Sequence, residues 1–473
     1  MSRSTNQGTR PSHGPSRRDV FRTAAGVAGG AAAMSALPEW FVRELRAQEP
    51  AREPKSPDEL PAVALIGCGG RGRGVAAEAQ AFGRVVAVCD ADSGRTEGSA
   101  VGLAASQREA DAKAGRKTAA GEIRRYDDFR KLIDTEKDVA VIMNGTPDHW
   151  HTLVNLYALR RGKDVYSEKP LTLTIDEGKR LVGTVRETGR VLQTGTQQRS
   201  DPQFRLVCEL VQNGRVGTLK KVTTIVPAGL RAGPFQSKPV PKSLNWDMWL
   251  GQAPRVDYVP ERTHTTFRFW YDYSGGTMTD WGAHHNDIAY WAIGLLAPRT
   301  VESRIMTQPI PGGYDTFAEY EVNYTYANDT RLNILTTRDD SIYGAKVNQE
   351  GQRNGIRFEG TEGWIWVNRD GISASDPELL KTPLPDDAVR LYTSTNHMGN
   401  FFDCVESRKA PICDVETGHR SATMCHLGAI SMRTGRKLNW DSKAERFTGE
   451  FAREGNAHVR RELRAPYDYR FVS

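Results

Sequence analysis

The sequence predicts an α/β protein of two domains, the first built on a parallel sheet covered on both faces and the second on a large, mostly antiparallel open sheet. Residues 60–198 alternate short apolar runs, such as Ala62–Ile66, with longer amphipathic stretches, which is the pattern of buried parallel strands. Farther along, segments such as 330–337 alternate apolar and polar residues without intervening helices. The length of 473 residues also exceeds what one hydrophobic core usually serves.

The N-terminal residues 1–47 predict an export signal with a tether. Arg17-Arg18 directly precedes the weakly apolar, Ala/Gly-rich stretch 23–37, which resembles a twin-arginine signal. A flexible basic arm is the alternative, although it does not account for an apolar stretch after paired arginines. That stretch is too short and glycine-rich for a membrane span, and 38–46 could remain as a short helix or tether. We therefore expect a periplasmic or otherwise exported protein with no transmembrane domain beyond the signal.

Domain boundaries follow from changes in composition. Residues 48–59 are rich in proline and charge, which is typical of a linker. The first domain is therefore expected over 60–198 and the second over 199–473. The second is expected to end in helices over about 400–407 and 417–434.

The charge of the chain does not indicate a nucleic-acid partner. Its net charge is +6, of which +4 falls in residues 1–47, leaving +2 for the rest. This is not the basic surface that nucleic-acid binding requires. The six cysteines are scattered, so we expect reduced, structural thiols rather than a disulfide framework or a zinc site.

A glycine-rich loop after the first strand predicts a dinucleotide site. Gly67, Gly69 and Gly72 have G-x-G-x-x-G spacing, with Gly70 and Arg71 between them. Such glycines allow the tight turn, the close approach of the pyrophosphate and strand–helix packing, and the helix N-terminus binds the anion. The first domain is therefore predicted to be a Rossmann domain.

Asp90 predicts the choice of cofactor. It stands at the end of the second strand, 23 residues after Gly67, where a carboxylate accepts hydrogen bonds from the adenosine ribose. A 2′-phosphate would meet a like charge there, so NAD is expected. Arg71 and Arg95 leave NADP open as the alternative.

Two segments could carry the chemistry. Glu168-Lys169-Pro170 follows a strand and so lies at the carboxyl edge of the sheet, where a lysine can orient a substrate hydroxyl. The segment 275–287 contains Asp280, His284 and Asp287, which share one face if this stretch is helical. A carboxylate beside an imidazole can take up the hydroxyl proton that alcohol oxidation releases.

Other interpretations of these residues remain open. Asp280, His284 and Asp287 could bind a metal, although one histidine and two acids lack a specific ligand signature, so none is expected. A helix cap and a buried core histidine are the alternatives for each residue taken alone. His285 is predicted to point away from Asp280, toward the packing.

Together these motifs resemble the glucose-fructose oxidoreductase/inositol dehydrogenase (Gfo/Idh/MocA) family. The likeness rests on 67–72, Asp90, Thr146-Pro147-Asp148 with His151, 168–170 and 275–287, and it covers about residues 60–440. The family architecture is a Rossmann domain followed by an α/β domain with a large open sheet. Thr277, where many members have glycine, and the His284-His285 doublet depart from the family pattern.

The resemblance implies roles for individual residues. Lys169 would be the catalytic lysine, with Asp280 and His284 at the acid–base positions. Residues along the nicotinamide side would be Thr146, Pro147, His151 and Glu168. Residues that could contact a sugar are Arg262, His264, Arg268, Trp270, His285 and Asp287, with packing as the alternative for the tryptophan.

The expected function is hydride transfer between NAD and a secondary hydroxyl of a sugar, glycoside or polyol. Export favours a retained cofactor, since a compartment outside the cytoplasm offers no obvious pool of NAD. A redox-neutral glycosidase or lyase that oxidises the sugar transiently is the alternative. A non-catalytic cofactor-binding protein is a third interpretation, against which Lys169, Asp280 and His284 argue. The open sheet face favours a homo-oligomer.

Overall fold

The computed structural model describes residues 37–48, 56, 59–113, 115, 121–294, 297–337 and 354–473. The predicted export signal at Arg17-Arg18 and most of the linker lie outside the described residues. None of the helices in these ranges is long and apolar enough to cross a membrane.

The first domain is a parallel six-stranded sheet in the order β3-β2-β1-β4-β5-β6. This is the order of a doubly wound dinucleotide-binding fold. Its strands are β1 (Ala62–Ile66), β2 (Arg84–Cys89), β3 (Arg124–Tyr126), β4 (Val139–Asn144), β5 (Asp164–Ser167) and β6 (Leu192–Thr194). The apolar runs of β1 and β4 are almost wholly buried because helices cover both faces of the sheet. The predicted parallel sheet is confirmed.

Helices connect these strands. They are α2 (Gly70–Ala79), α3 (Ser93–Lys113), α4 (Phe129–Thr135), α5 (Asp148–Arg160) and α6 (Ile175–Thr188). Helix α2 begins at Gly70, within the glycine loop itself. Helix α6 begins at a capping box, in which Thr174 and Glu177 bond to each other's backbone, and ends at Gly189 with φ +62°.

The second domain is a nine-stranded sheet in the order β13-β12-β11-β7-β10-β9-β8-β14-β15, in which only the β7–β10 pair is parallel. Its strands are β7 (Leu219–Pro227), β8 (Thr300–Thr307), β9 (Glu319–Thr325), β10 (Arg331–Thr337), β11 (Gly355–Gly360), β12 (Trp364–Asn368), β13 (Gly371–Ala374), β14 (Leu438–Asp441) and β15 (Arg446–Thr448). Alternate residues of β9, namely Tyr320, Val322 and Tyr324, are fully buried. The predicted mostly antiparallel sheet is confirmed.

The helices after β6 are α7 (Pro202–Gln212), α8 (Trp246–Leu250), α9 (Thr277–Asp280), α10 (Gly282–Ala292), α11 (Glu378–Lys381), α12 (His397–Ser407), α13 (Val415–Thr434) and α14 (Ala452–Asn456). Helices α7, α9, α10 and α13 pack on the nine-stranded sheet, whereas α12 packs on the core of the first domain. All residues of α10 are buried, since it is enclosed by α7, α13 and β7. A helix without a solvent face keeps its polar side chains only where they find partners or line a site.

Both ends of the chain pack on the domain that is remote in sequence. Helix α1 (Glu39–Gln48), in the predicted tether, buries Phe41 and Leu45 in the second-domain core. At the other end, Tyr467 and Phe471 pack against aromatic side chains of α4 and α5 in the first domain. Helix α1 is therefore an integral part of the fold rather than a tether.

Residues 228–275, which we call the strap, leave the second domain after β7 and return to it at α9. The strap contains α8 and the 3₁₀ turns Pro260–Arg262 and Thr266–Phe269. It has a small aromatic core of its own, which includes Trp249, Tyr258 and Trp270. The strap lies along the first domain and joins the two domains.

Candidate active site

The glycine loop has the geometry of an anion cradle. Gly67 has φ +92°, and a Cβ built there would lie 2.4 Å from the carbonyl carbon of Gly145. A Cβ on Gly72 would lie 2.0 Å from the oxygen of Gly67, so both positions require glycine. Gly70, in contrast, has no described heavy atom within 4 Å of a built Cβ, and Gly69 precedes α2 without a side-chain cap in the described residues. The open space before the first N–H groups of α2 fits a pyrophosphate.

Asp90 lies where the sequence predicts it, at the end of β2. Its Oδ2 accepts from the N–H of Cys68 in the glycine loop at 2.7 Å, and its Oδ1 accepts from the N–H of Asp92 at 2.9 Å. Each carboxylate oxygen keeps a further lone pair for a ligand hydroxyl. The Arg95 guanidinium lies 3.8 Å from a Cβ built on Gly69, close to the same loop.

Arg71 connects the glycine loop to the predicted catalytic turn. Its Nε donates to Glu168 Oε1 at 2.8 Å, and Gln197 Nε2 donates to the same oxygen at 3.1 Å. Burial alone would raise the pKa of Glu168, but the charges of Arg71 and Lys169 outweigh burial and lower it. Glu168 therefore stays ionised and fixes the turn that carries Lys169.

The segment after β4 is held by its own hydrogen bonds. Thr146 Oγ1 donates to Asn144 Oδ1 at 2.7 Å. The His151 ring lies between two backbone carbonyls, with Nε2 2.9 Å from the oxygen of Thr146 and Nδ1 2.7 Å from that of Pro170. Pro147 is the residue before α5. His151 thus positions the chain on both sides of the site.

Lys169, Asp280 and Arg268 form a partly buried charge cluster at the junction of the two domains. Lys169 Nζ donates to Asp280 Oδ1 at 2.5 Å and to its backbone oxygen at 3.0 Å, and Arg268 Nε lies 3.2 Å from the same Oδ1. Burial would raise the pKa of Asp280, but the two cations outweigh burial and lower the pKa to about 2. Asp280 is therefore an anion that neutralises and orients Lys169, not a proton carrier near neutral pH.

His284 lies beside this cluster and carries no charge. Burial, followed by the charges of Lys169 and Arg369, lowers the pKa of His284 well below its usual range. Its Nδ1 is buried and has no hydrogen-bond partner in the described part of the chain. Asp280 is thus bonded to cations, and the predicted Asp280–His284 proton-transfer pair is replaced by an Asp280–Lys169 pair.

His285 is fully buried and lies away from the charge cluster. Burial, followed by the charge of Arg369, lowers its pKa to about 3. Its ring centroid is 5.9 Å from that of Trp281. The sequence analysis expected His285 both in the packing and among the residues that could contact a sugar. Its complete burial favours the packing role.

Asp287 does not contact the site, so its prediction as a substrate residue is wrong. Its two oxygens accept from Arg199 Nε at 2.7 Å and Nη2 at 2.8 Å, in a fully buried bidentate pair. The predicted common face of Asp280, His284 and Asp287 fails because each side chain has different neighbours. Within the described ranges, no group of three histidine, cysteine or acidic side chains is placed to hold a metal.

The remaining predicted substrate residues, all in the strap, separate into three environments. Arg268 joins the charge cluster described above. The Arg262 guanidinium lies 3.9 Å from the ring centroid of Trp270, which is itself buried, so this pair is packing. His264 Nε2 lies 3.8 Å from Asp92 Oδ2 beside β2, and not at the charge cluster.

Some residues of the site were missed from the sequence. Ser274 Oγ donates to the buried carboxylate of Asp148 at 2.5 Å and so joins the strap to the start of α5. Gln197 supports Glu168 as described above. Polar residues of these types are common on surfaces, so only their contacts show that they belong to the site.

Comparison with known proteins agrees with this geometry. Residues 62–196 match the NAD-binding Rossmann fold of the oxidoreductase family, and 228–469 match the family's C-terminal alpha/beta domain. The chain belongs to the Gfo/Idh/MocA oxidoreductase family. Its first domain is thus the family's NAD-binding domain, and the predicted family, cofactor and enzyme class are confirmed.

Several relatives are dehydrogenases. The chain is 28% identical over 230 residues to the oxidoreductase YrbE of Bacillus subtilis, covering 45% of this chain and 57% of YrbE. It is 23% identical over 295 residues to scyllo-inositol 2-dehydrogenase (NAD(+)) of the same organism, covering 60% and 72% of the two chains. Inositol 2-dehydrogenase of Rhizobium meliloti is 25% identical over 352 residues, which cover 72% of this chain and 88% of the relative.

Solved structures share the fold. The WlbA dehydrogenase of Bordetella pertussis, in complex with NADH and UDP-GlcNAcA, superimposes with a TM-score of 0.54 at 18% identity over 81% of this chain and 99% of its own. Levoglucosan dehydrogenase, in complex with NADH and levoglucosan, superimposes with a TM-score of 0.55 at 19% identity, over 80% of this chain and 99% of its own. Aldose-aldose oxidoreductase of Caulobacter crescentus superimposes with a TM-score of 0.54 at 18% identity, over 80% of this chain and 100% of its own.

Proposed function

We propose that this protein is an NAD-dependent dehydrogenase that oxidises a secondary hydroxyl of a sugar, glycoside or polyol. The observation that carries the proposal is the partly buried cluster of Lys169, Asp280 and Arg268 beside the neutral His284, at the carboxyl edge of the Rossmann sheet. Ligands bind at this edge in open α/β folds. The glycine loop and Lys169 are joined through Arg71 and Glu168, so both belong to one cleft.

When bound, NAD supplies the acceptor for the hydride that leaves the carbinol carbon. The chain's own residues then have to manage the hydroxyl proton. Lys169 is held by Asp280, and its ammonium has three N–H donors, of which Asp280 takes two. The third donor can bond the substrate oxygen and stabilise the negative charge that develops there.

His284 is proposed to accept the hydroxyl proton. A neutral imidazole has one nitrogen with a free lone pair, and burial beside cations keeps this form dominant at neutral pH. Asp280 cannot do this work near neutral pH without first losing both of its cationic partners. Its role is to orient Lys169 and to offset the charge of Arg268.

The substrate class rests on the relatives and on the charge of the cleft. Two of the relatives named above are inositol dehydrogenases, and the neighbours of known structure include a levoglucosan dehydrogenase and an aldose-aldose oxidoreductase. Hydroxyl-rich ligands suit a cleft lined by Lys169, Arg268 and His284, because each can bond a hydroxyl oxygen or hydrogen.

The test is a screen of the purified, NAD-loaded protein against inositols, free sugars and glycosides. We expect at least one polyol or sugar to make NADH accumulate, which its absorbance measures. The rate of NADH formation should depend on Lys169. Cleavage of a glycoside without net NADH would favour the redox-neutral alternative. If the protein binds NAD but neither reduces it nor cleaves a glycoside with any member of the panel, the result would favour the non-catalytic interpretation.

We also propose that the protein is exported by the twin-arginine route, because the pair Arg17-Arg18 directly precedes an Ala/Gly-rich apolar stretch. The double substitution Arg17→Lys, Arg18→Lys should stop export while the protein still folds and binds NAD in the cytoplasm. Normal export of this variant would contradict the assignment.

We propose self-association through the outer face of the nine-stranded sheet. That face exposes Met306, with 51% of its surface accessible, between the charged residues of β8 and β9. A broad open sheet face favours pairing of two copies. Light scattering should give a multimeric mass that Met306→Glu reduces, and a monomeric wild type would refute the idea.

A further inference from the structure

The strap contacts the first domain directly beside the adenosine side of the NAD cleft. Ser93 N–H donates to the oxygen of Ser243 at 2.9 Å, and Asn245 N–H donates to the oxygen of Ala91 at 2.8 Å. These bonds flank an antiparallel bridge between Asp92 and Leu244. The first-domain residues follow Asp90 immediately, and a carboxylate at that position binds the adenosine ribose in this fold.

A strap side chain also reaches this place. His264 Nε2 lies 3.8 Å from Asp92 Oδ2, and about a third of the His264 side chain is exposed. His264 has φ +58°, an uncommon backbone conformation for a residue other than glycine. Such strain is found at ligand clamps, where the surrounding structure maintains it. Arg95 Nε lies 4.0 Å from the same oxygen of Asp92, and the Arg95 side chain is also next to Gly69.

The C-terminal tail fastens the strap. Arg464 Nε donates to the oxygens of Gly251 and Ala253 at 2.9 and 3.0 Å, and its Nη1 and Nη2 bond the side chain and backbone of Asp247 at 2.8 and 3.0 Å. Tyr467 donates to the other oxygen of Asp247 at 2.7 Å. The backbone N–H of Arg464 also donates to the oxygen of Gln252 at 3.0 Å, so six hydrogen bonds join the tail to α8 and the turn after it, in the middle of the strap.

We propose that the strap forms the outer wall of the adenosine subsite, with His264 facing the adenosine ribose, so that NAD leaves only after the strap detaches. His264 thereby moves from the predicted sugar contacts to the cofactor site. The proposal rests on NAD as the cofactor but on no particular sugar. An exported enzyme that cannot draw on a NAD pool would keep its cofactor through successive turnovers in this way.

The first test measures release of the nucleotide. Protein loaded with NADH is mixed with excess NAD, and the loss of bound-NADH fluorescence gives the dissociation rate without any sugar present. Losing several of the Arg464 bonds in Arg464→Ala should speed release by at least about tenfold, and His264→Ala by roughly threefold or more. Arg470→Ala is the matched control, because this tail arginine is 86% exposed and pairs with Asp468. Equal rates in folded wild type, Arg464→Ala and Arg470→Ala would overturn the proposal.

A second test does not depend on how well Arg464→Ala folds. Asp92 and Leu244 pair where the Cα atoms of antiparallel strands approach to about 4.5 Å, within the range of a disulfide. The variant Asp92→Cys, Leu244→Cys is loaded with NADH and then oxidised. The six native cysteines are buried and should not compete.

The oxidised form should release NADH at least about tenfold more slowly than the same protein after reduction. Because both forms share one sequence, the comparison isolates the strap from any effect of the substitutions themselves. Equal release from the two forms would show that the strap does not control the exit. Absence of sugar turnover would count against the proposed function and would leave these rates unchanged.

Discussion

The two ends of the NAD cleft are closed by different kinds of contact. At the Lys169 end, the domains meet through side-chain charges, as Lys169 and Arg268 share the carboxylate of Asp280. At the Asp90 end, they meet through backbone hydrogen bonds of Ser243 and Asn245. Charged side chains can exchange partners when a substrate enters, whereas backbone pairing holds position without regard to side-chain identity. The difference separates an end suited to chemistry from an end suited to retention.

The sharpest test of this comparison is Lys169→Ala. Losing an acid–base or charge-stabilising group at the reacting centre should reduce kcat by about 10²- to 10⁴-fold. NAD affinity should change little, because the pyrophosphate site lies at the glycine loop. Steady-state kinetics and calorimetric titration with NAD measure the two effects, and the exposed Lys131→Ala is the control. A variant that retains full activity would remove the basis of the mechanism.

The histidine doublet separates chemistry from packing. His284→Ala should lose most of the activity, by about 10²-fold or more, because it removes the proposed proton acceptor; its ring is also buried, so activity is compared on protein that remains folded. His285→Ala removes a fully buried ring and should lower the free energy of unfolding by roughly 2 kcal/mol or more. Parallel activity and denaturation measurements distinguish the two. The reverse pattern would mean that His285 is the proton acceptor.

Asp280 gives a pH-dependent test. Its pKa is lowered to about 2 from 3.8, so its ionised form stabilises the fold fully above about pH 4, and this contribution is lost as the pH falls through 2. The shift corresponds to about 2 kcal/mol. In urea denaturation, Asp280→Asn should lower the free energy of unfolding by about 2 kcal/mol at pH 7 and by roughly half as much at pH 3. A difference in the free energy of unfolding between wild type and Asp280→Asn that does not change with pH would contradict the charge cluster.

The smallest expected effect is at the other end of the cleft. Asp90→Ala should weaken NAD binding by about tenfold and relax the discrimination against NADP, since it removes the acceptor for the ribose hydroxyls. At saturating NAD, kcat should remain near that of the wild type, unlike Lys169→Ala. Stronger binding of NADP than of NAD by the wild type would refute the role of this carboxylate.

These contrasts also explain what could be predicted from the sequence. The glycine loop, Asp90 and Lys169 were recognisable because their roles demand particular residue types at particular distances from a strand. The pairing of the strap with residues 91–93 left no such signal, because backbone groups of any residue could form it. For the same reason the sequence could not show that His264 lies beside Asp92 rather than at the charge cluster.

Long-range partners were the other source of error. Asp287 shares helical spacing with Asp280, but its partner Arg199 lies 88 residues earlier, and only the fold shows that they meet. The short strand β3 and the helix α3 were not predicted either, since Arg124–Tyr126 has no apolar run and α3 has no clear apolar face. The architecture was predictable because it depends on repeated patterns rather than single contacts.

The crossing of the chain ends has a consequence for how the protein can be divided. Helix α1 comes first in the chain but completes the second domain, where Glu44 pairs with Arg205 at 2.8 Å. The last residues complete the first domain, where the guanidinium of Arg130 lies 3.7 Å from the ring centroid of Phe471. A cut near residue 198 would therefore deprive each fragment of a piece of its core. During synthesis, helix α1 has to wait for a domain made long after it, and the first domain gains its last core side chains only after Tyr467 and Phe471 have been made.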